Sequence, residues 1–147
     1  MIFSKGTGYA LRALIFLAEH MDEGPFLAGA IADDIDVPKP TLSKILNRLA
    51  AKKLVKSVSG PNGGFWLVKD PGLISLKEIY EAFEPSRSYQ ECLLGHPQCP
   101  GTKYCTLHLK WLEPQKHIFD FLNNTKISDI IPFEDGLQPE DIPLEDQ

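Results

Sequence analysis

Residues 27–54 read LAGAIADDIDVPKPTLSKILNRLAAKKL, and the two prolines at the centre constrain this stretch more than any other residues do. Proline has no backbone N–H and its ring crowds the preceding turn, so Pro38 and Pro40 can open a helix but not sit inside one. The stretch therefore divides into a short helix through Ala28 to Ile35, a tight break over Asp36 to Pro40, and a second helix from about Thr41 to Lys52. Leu42, Ile45, Leu46 and Leu49 recur at helical spacing and supply the second helix with a buried stripe. Helix, short turn, helix is the outline of a helix-turn-helix.

The flanking segments extend that outline. Upstream, Tyr9 to His20 forms a helix with Ala10, Leu14, Leu17 and Met21 on one face, ended by DEGP. Downstream, LVKSVSGPNGGFWLVKD splits into two apolar runs, one with Val55 and Val58 and one over Phe65 to Val68. The Pro-Asn-Gly-Gly centre between them supplies the positive backbone angles of a hairpin turn. SLKEIYEAFE then begins with Ser75 and carries Glu78 three residues on, which is a capping box. The expected fold class is mainly α with a small β-hairpin: a winged helix-turn-helix plus a long C-terminal dimerisation helix.

That last helix spans Leu109 to Asn123, with Trp111, Leu112, Ile118, Phe119 and Leu122 apolar and with Pro114 placed to kink or divide it. So apolar a helix needs covering, either by its own domain or by a partner subunit; the partner is the economical choice and predicts a homodimer. The domains read as 1–85 for the winged helix-turn-helix, 86–108 for a cysteine-rich loop, 109–131 for the dimerisation helix and 132–147 for an acidic tail. No apolar run approaches the ~18–20 residues of a membrane span, and Arg12 interrupts the N-terminal apolar stretch, so neither a membrane nor a secretion signal is expected. The cytoplasm is the expected location.

Charge is divided unevenly along the chain. The net charge is −5, but the last fifteen residues carry six acids and no Lys or Arg, which leaves fifteen basic against fourteen acidic residues in the rest, a net of +1. Between Val37 and Lys69 stand Lys39, Lys44, Arg48, Lys52, Lys53, Lys56 and Lys69 without a single Asp or Glu. Such a patch can face phosphates, although a solvated helix face would look the same.

All three cysteines fall in ECLLGHPQCPGTKYCTLH, as Cys92, Cys99 and Cys105, with His108 three residues after the last. An odd number of clustered thiols is a poor disulfide framework and points to metal or redox chemistry. Cys99 and Cys105 flank a turn, and His108 follows Cys105 by one helical turn, so four soft donors can approach one centre. Three other readings share these residues: a Cys3His zinc staple of the kind found in nucleic-acid-binding modules, a metal-free thiol switch, and His96 in place of His108. An enzymatic cysteine is disfavoured, because no orienting acid or oxyanion site accompanies it.

Taken together, SKGTGYALRALIFLA, PTLSKILNRLAAKKLVKSVSGPNGGFWLVKD, ISLKEIYEAFE and the cysteine loop resemble the Rrf-type winged-helix transcriptional regulators, the family of IscR/NsrR-like iron–sulfur regulators. The likeness covers roughly residues 1–132, and GPNGGFWL and the cysteine spacing are its most specific parts. It implies a dimeric bacterial transcription factor that binds a double-stranded DNA operator and senses iron–sulfur, redox or nitric-oxide status through a cluster. Cys92, Cys99 and Cys105 are then ligands, with His108 as the fourth. A carboxylate from the first helix, the ligand of another branch, has no counterpart here because that position is Gly8. A 2Fe-2S cluster is favoured and a 4Fe-4S cluster stays open. With the second helix in the major groove, Lys39, Thr41, Ser43, Lys44 and Asn47 face the duplex. The wing tip, with Ser59, Gly60 and Asn62, approaches the minor groove. Ser59 stands where many relatives have an arginine, which puts minor-groove reading by arginine in question.

Overall fold

The computed structural model describes residues 3–85, 90–97 and 105–131. Its first helix, α1 (Lys5–Glu19), begins earlier than the apolar spacing suggests, because Ser4 caps it: the Ser4 Oγ accepts from the Thr7 backbone N–H at 3.3 Å. Ala10, Leu14 and Leu17 are buried as expected. Met21 is exposed instead, since the helix ends at Glu19 and the chain has left the helical face by then.

Helices α2 (Ala28–Asp34) and α3 (Lys39–Ala51) meet at the expected break. Asp36 takes φ 52° there, and Pro38 and Pro40 flank the first residue of α3, where a missing N–H costs nothing. Leu42, Ile45, Leu46 and Leu49 of α3 are all buried. Lys53, at φ 60°, closes the helix in the left-handed region, with Leu54 N–H donating to Leu49 O at 3.0 Å.

The wing is an antiparallel pair, β1 (Val55–Val58) and β2 (Gly64–Leu67), in register from Val55 opposite Leu67 to Val58 opposite Gly64. Positive φ occurs at Gly60 and Gly64, at the two ends of the turn, and not at its Pro-Asn-Gly centre. Phe26 adds a bridge to Phe65 on the open side of β2, exchanging hydrogen bonds of 3.0 and 2.7 Å. A Cβ on Gly64 would meet Phe26 O at 2.4 Å, so this third pairing requires glycine there.

A single 3-10 turn, Pro71–Leu73, leads to α4 (Leu76–Phe83), whose capping box forms as read: Glu78 N–H donates to Ser75 Oγ, and Ser75 N–H donates to the Glu78 carboxylate at 3.0 Å. Helix α5 (Thr106–Asn124) starts three residues before Leu109, because Cys105 caps it. Pro114 does not divide it. The proline lies on an exposed face, and the carbonyl it leaves unbonded belongs to exposed Lys110, where water can serve as partner.

The segment from 109 to 131 is not one helix. After α5 the chain turns at Thr125 into α6 (Ile127–Ile130), and a bridge between Lys126 and Ser75 stitches it beside α4. Leu122 and Ile127 join the core formed by α1, α3 and α4. The end of α5 is therefore anchored on its own domain, while Leu107, Leu109, Leu112 and Phe121 are exposed along it.

Candidate functional site

Two faces carry the chemistry. On the first, burying the apolar stripe of α3 turns the opposite side outward, so that Lys39, Thr41, Lys44 and Asn47 are exposed. Lys39 Nζ lies 3.3 Å from the Asp33 carboxylate of α2. Ser43 is half-buried, and its hydroxyl donates to the Lys39 carbonyl at 3.0 Å, which engages its proton within the helix. Arg48 is drawn aside, its guanidinium 5.1 Å from the centre of the Phe83 ring at the end of α4.

The wing tip presents Ser59, Gly60, Pro61 and Asn62 to solvent. Gly60, at φ 108°, has open space around it, whereas a Cβ on Gly63 would strike Val58 O at 2.0 Å. The glycines thus divide the labour: Gly60 leaves the tip slim, and Gly63 lets the hairpin fold on itself. Lys53 and Lys56 line a shallow hollow of about 370 Å³ at the root of the wing, together with Ala50, Val55, Ser57 and Val68. Sequence reasoning counted these two lysines in the basic segment but did not single them out.

The second face lies at the start of α5. A cavity of about 50 Å³ is lined by Cys92, Cys105, His108 and Trp111, with Leu93, Leu94 and Leu107 beside them. Cys92 and Cys105 are half-buried. Cys105 Sγ accepts a hydrogen bond from His108 N–H at 3.4 Å, so the thiol serves as helix cap and cavity wall at once. His96 is exposed and is not among the residues lining the cavity. Cys99 lies outside the described residues. Among the described residues no three His, Cys, Asp or Glu side chains form a group able to hold a metal ion. The cavity brings three of the four predicted donors to one wall without completing a metal centre from them.

The chemistry of that wall fits a soft metal group. Two thiols and an imidazole match iron–sulfur or zinc, while a hard cation would call for oxygen ligands. The indole Nε1 of Trp111 is buried and meets no acceptor among the described residues.

A third cluster was not visible to sequence reasoning. The Glu84 carboxylate accepts from Ser4 N–H at 2.7 Å and from the Thr7 hydroxyl, binding the end of α4 to the start of α1. Burial opposes ionisation of Glu84, but the hydrogen bonds from Thr7 and Ser4 outweigh it and hold its carboxyl below the ordinary carboxylate value. The partners are 80 and 77 residues apart, and no local pattern links them.

A helix-turn-helix with a two-stranded wing, turning cations outward from its second helix, defines the class of winged-helix DNA-binding transcriptional regulators. The chain belongs to the Rrf2 family, whose model, described as an iron-dependent transcriptional regulator, matches residues 3–132. It is 38% identical over 137 residues to an HTH-type transcriptional regulator, so designated, of Aquifex aeolicus (strain VF5), covering 92% of this chain and 94% of that one. It is 31% identical over 138 residues to the HTH-type transcriptional regulator IscR of Yersinia pseudotuberculosis (serotype O:1b, strain IP 31758), covering 94% and 83%. Among solved structures it is similar to CymR, the global cysteine regulator of B. subtilis, with a TM-score of 0.74 and 26% identity over 88% of this chain and 95% of that one. IscR of T. potens superposes with a TM-score of 0.70 at 26% identity, over 88% and 85%. These relatives are regulators of transcription and not enzymes. No helix among the described residues is long and apolar enough to cross a membrane.

Proposed function

We propose that this regulator acts as a homodimer in the cytoplasm, gripping operator DNA with α3 and the wing and carrying an iron–sulfur cluster held by Cys92, Cys99, Cys105 and His108. The observation that carries the reading is the shared cavity wall of Cys92, Cys105 and His108 in a chain of an iron-dependent regulator family. The resemblance to IscR favours a 2Fe-2S cluster with His108 as fourth ligand; three thiolates on a 4Fe-4S cluster are the other form.

When bound, such a cluster supplies a one-electron couple and a centre open to attack by oxygen or nitric oxide. The rest is the work of the protein. Cys105 caps α5, so a change in its bonding acts directly on the first turn of that helix. Leu107, Leu109 and Leu112 follow on the exposed face that a second subunit covers. A shift there alters the spacing of the two copies of α3, which must match half-sites about 34 Å apart. On the DNA side Lys39, Thr41, Ser43, Lys44 and Asn47 meet the major groove, and Ser59, Gly60 and Asn62 the adjoining minor groove. The domain roles follow: 1–85 binds DNA, 86–108 senses, and α5 joins the subunits.

A second reading has its own support. CymR, similar over 88% of this chain, is a global cysteine regulator of B. subtilis, and Cys92 and Cys105 of this chain are half-buried on one cavity wall. A metal-free thiol switch would use the same residues. The deciding experiment is the absorption spectrum, with iron, sulfide and zinc analysis, of protein purified without oxygen. A coloured protein with iron and inorganic sulfide is expected. A colourless protein with one zinc per chain establishes the Cys3His staple, and a colourless metal-free protein the thiol switch.

A further inference from the structure

Lys39 is the first residue of α3, and its side chain is laid back on α2. Its Cδ, Cε and Nζ each lie 3.8 Å from the place a Cβ would take on Gly29, and Nζ lies 3.3 Å from the Asp33 carboxylate. Gly29 and Asp33 are one helical turn apart on α2, so the outer half of the lysine follows one face of that helix. Neither charge suits its own helix: a cation in the first turn and a carboxylate in the last turn both oppose the helix dipole. They suit each other across the break. Both side chains are exposed, and exposed ion pairs add little to stability, so the contact fixes where an ammonium stands more than it holds the fold together.

We propose that Asp33 is a positioning residue that determines specificity: it holds Lys39 as a donor to a base edge in the major groove and keeps it from acting as a free counter-charge to phosphate. The inference rests on the seating of α3 in the groove given above. A carboxylate beside the ammonium offsets its charge at the distance of a phosphate, yet the ammonium keeps N–H donors for a base edge. Guanine, with O6 and N7 acceptors side by side in the major groove, is the edge a lysine fits. A side chain already held in place also loses less freedom on binding than a loose one. Phosphate contacts form on DNA of any sequence, whereas base contacts form only in register. Asp33 therefore favours operator over other DNA.

The test uses full-length protein prepared without oxygen and two DNA probes: the fragment that the wild-type protein enriches from a random-sequence pool, and a scrambled fragment of the same composition. Both positions are exposed, so the variants keep the fold. Asp33→Asn is expected to tighten binding to the scrambled fragment about threefold, the size of a weak exposed pair. It should also steepen the log–log salt slope there by about 0.9, as Lys39 takes up a phosphate. Binding to the enriched fragment should gain nothing, so the preference for it falls by the same factor. Asp33→Glu keeps the charge and should restore the preference. Lys39→Met keeps the unbranched stem and removes the ammonium; in that background Asp33→Asn should alter neither preference nor slope. Equal tightening on both fragments, or the same response in the Lys39→Met background, overturns the proposal, because Asp33 would then act only as a charge that repels phosphate. If the wild-type protein enriches no fragment from the pool, the DNA-reading assignment itself fails, which distinguishes the two failures.

Discussion

Helices α3 and α5 are built on opposite terms. The thirteen residues of α3 bury Leu42, Ile45, Leu46 and Leu49 against their own domain, whereas the nineteen residues of α5 bury Leu122 alone and leave Leu107, Leu109, Leu112 and Phe121 exposed. The DNA-reading half of the molecule thus completes its core within one chain. The half that contains α5 has an exposed apolar helix face and a small cavity with soft donors, which in the proposed reading a second subunit and a bound group cover. On that reading one half is stabilised by folding and the other by assembly or by what it binds.

The sharpest way to break this contrast is to remove the soft donors. Cys92→Ala is expected to abolish the visible absorbance of anaerobically purified protein, yet shift the urea midpoint very little, since Cys92 is only half-buried. Cys105 allows a finer separation. Cys105→Ser keeps an oxygen able to cap α5 and removes the thiolate, so helicity should persist while iron is lost; Cys105→Ala should lose both iron and about 1 kcal/mol of helix stability. Full colour in Cys105→Ser would remove that residue from the ligand set.

Core truncation comes next in size. Leu46→Ala, at a fully buried position, should cost about 2–5 kcal/mol by urea denaturation. Leu112→Asp should leave the circular dichroism spectrum in place and instead dissociate the dimer in sedimentation, because Leu112 is exposed in the single chain. A dimer that survives Leu112→Asp intact would move the subunit contact off α5.

The same contrast governs what the sequence made legible. The interior of α3 was readable because four leucine-type side chains recur in one stripe, and the start of α4 because Ser75 and Glu78 cap each other within four residues. The start of α1 was read four residues late: Gly6 and Gly8 are poor helix formers, and its cap, Ser4 with Thr7, lacks the acid of a capping box. Helix α6 escaped notice because its burial depends on Ile127 donating to the Ile74 carbonyl at 3.0 Å, a pairing across 53 positions. At the start of α5 the spacing of Cys92, Cys105 and His108 indicated a common centre, and these three residues line one cavity. Trp111 was read only as part of an apolar stripe, since nothing in a sequence announces that an indole N–H will lack an acceptor.

A smaller effect separates the two helices by charge. Lys44 is exposed on α3 among the candidate duplex contacts, and Lys116 is exposed on α5. Lys44→Ala should weaken operator binding and reduce the log–log salt slope by about 0.9, the loss of one phosphate contact, while Lys116→Ala leaves the slope unchanged. Titration at several salt concentrations checks both, and equal slopes for the two variants would mean that α3 does not meet the phosphate backbone at Lys44.

The smallest predicted effect lies where the halves meet. Glu84 ends α4 and leads toward the cysteine segment, and its carboxylate ties α4 to Ser4 and Thr7 of the α1 start. Because the folded protein holds its pKa below the ordinary value of 4.5, its contribution to stability is complete above that value and lost as pH falls through the lower, native one. Glu84→Gln should therefore cost about 1 kcal/mol at neutral pH, a charge-assisted hydrogen bond discounted for partial exposure. The gap from wild type should stay level down to about pH 5.5 and close below that, since a protonated Glu84 offers no more than the amide does. Urea midpoints for both proteins across this range measure it. A gap that widens on acidification would show that Glu84 is held in its protonated form, and the joint between the two halves would then be a neutral hydrogen bond.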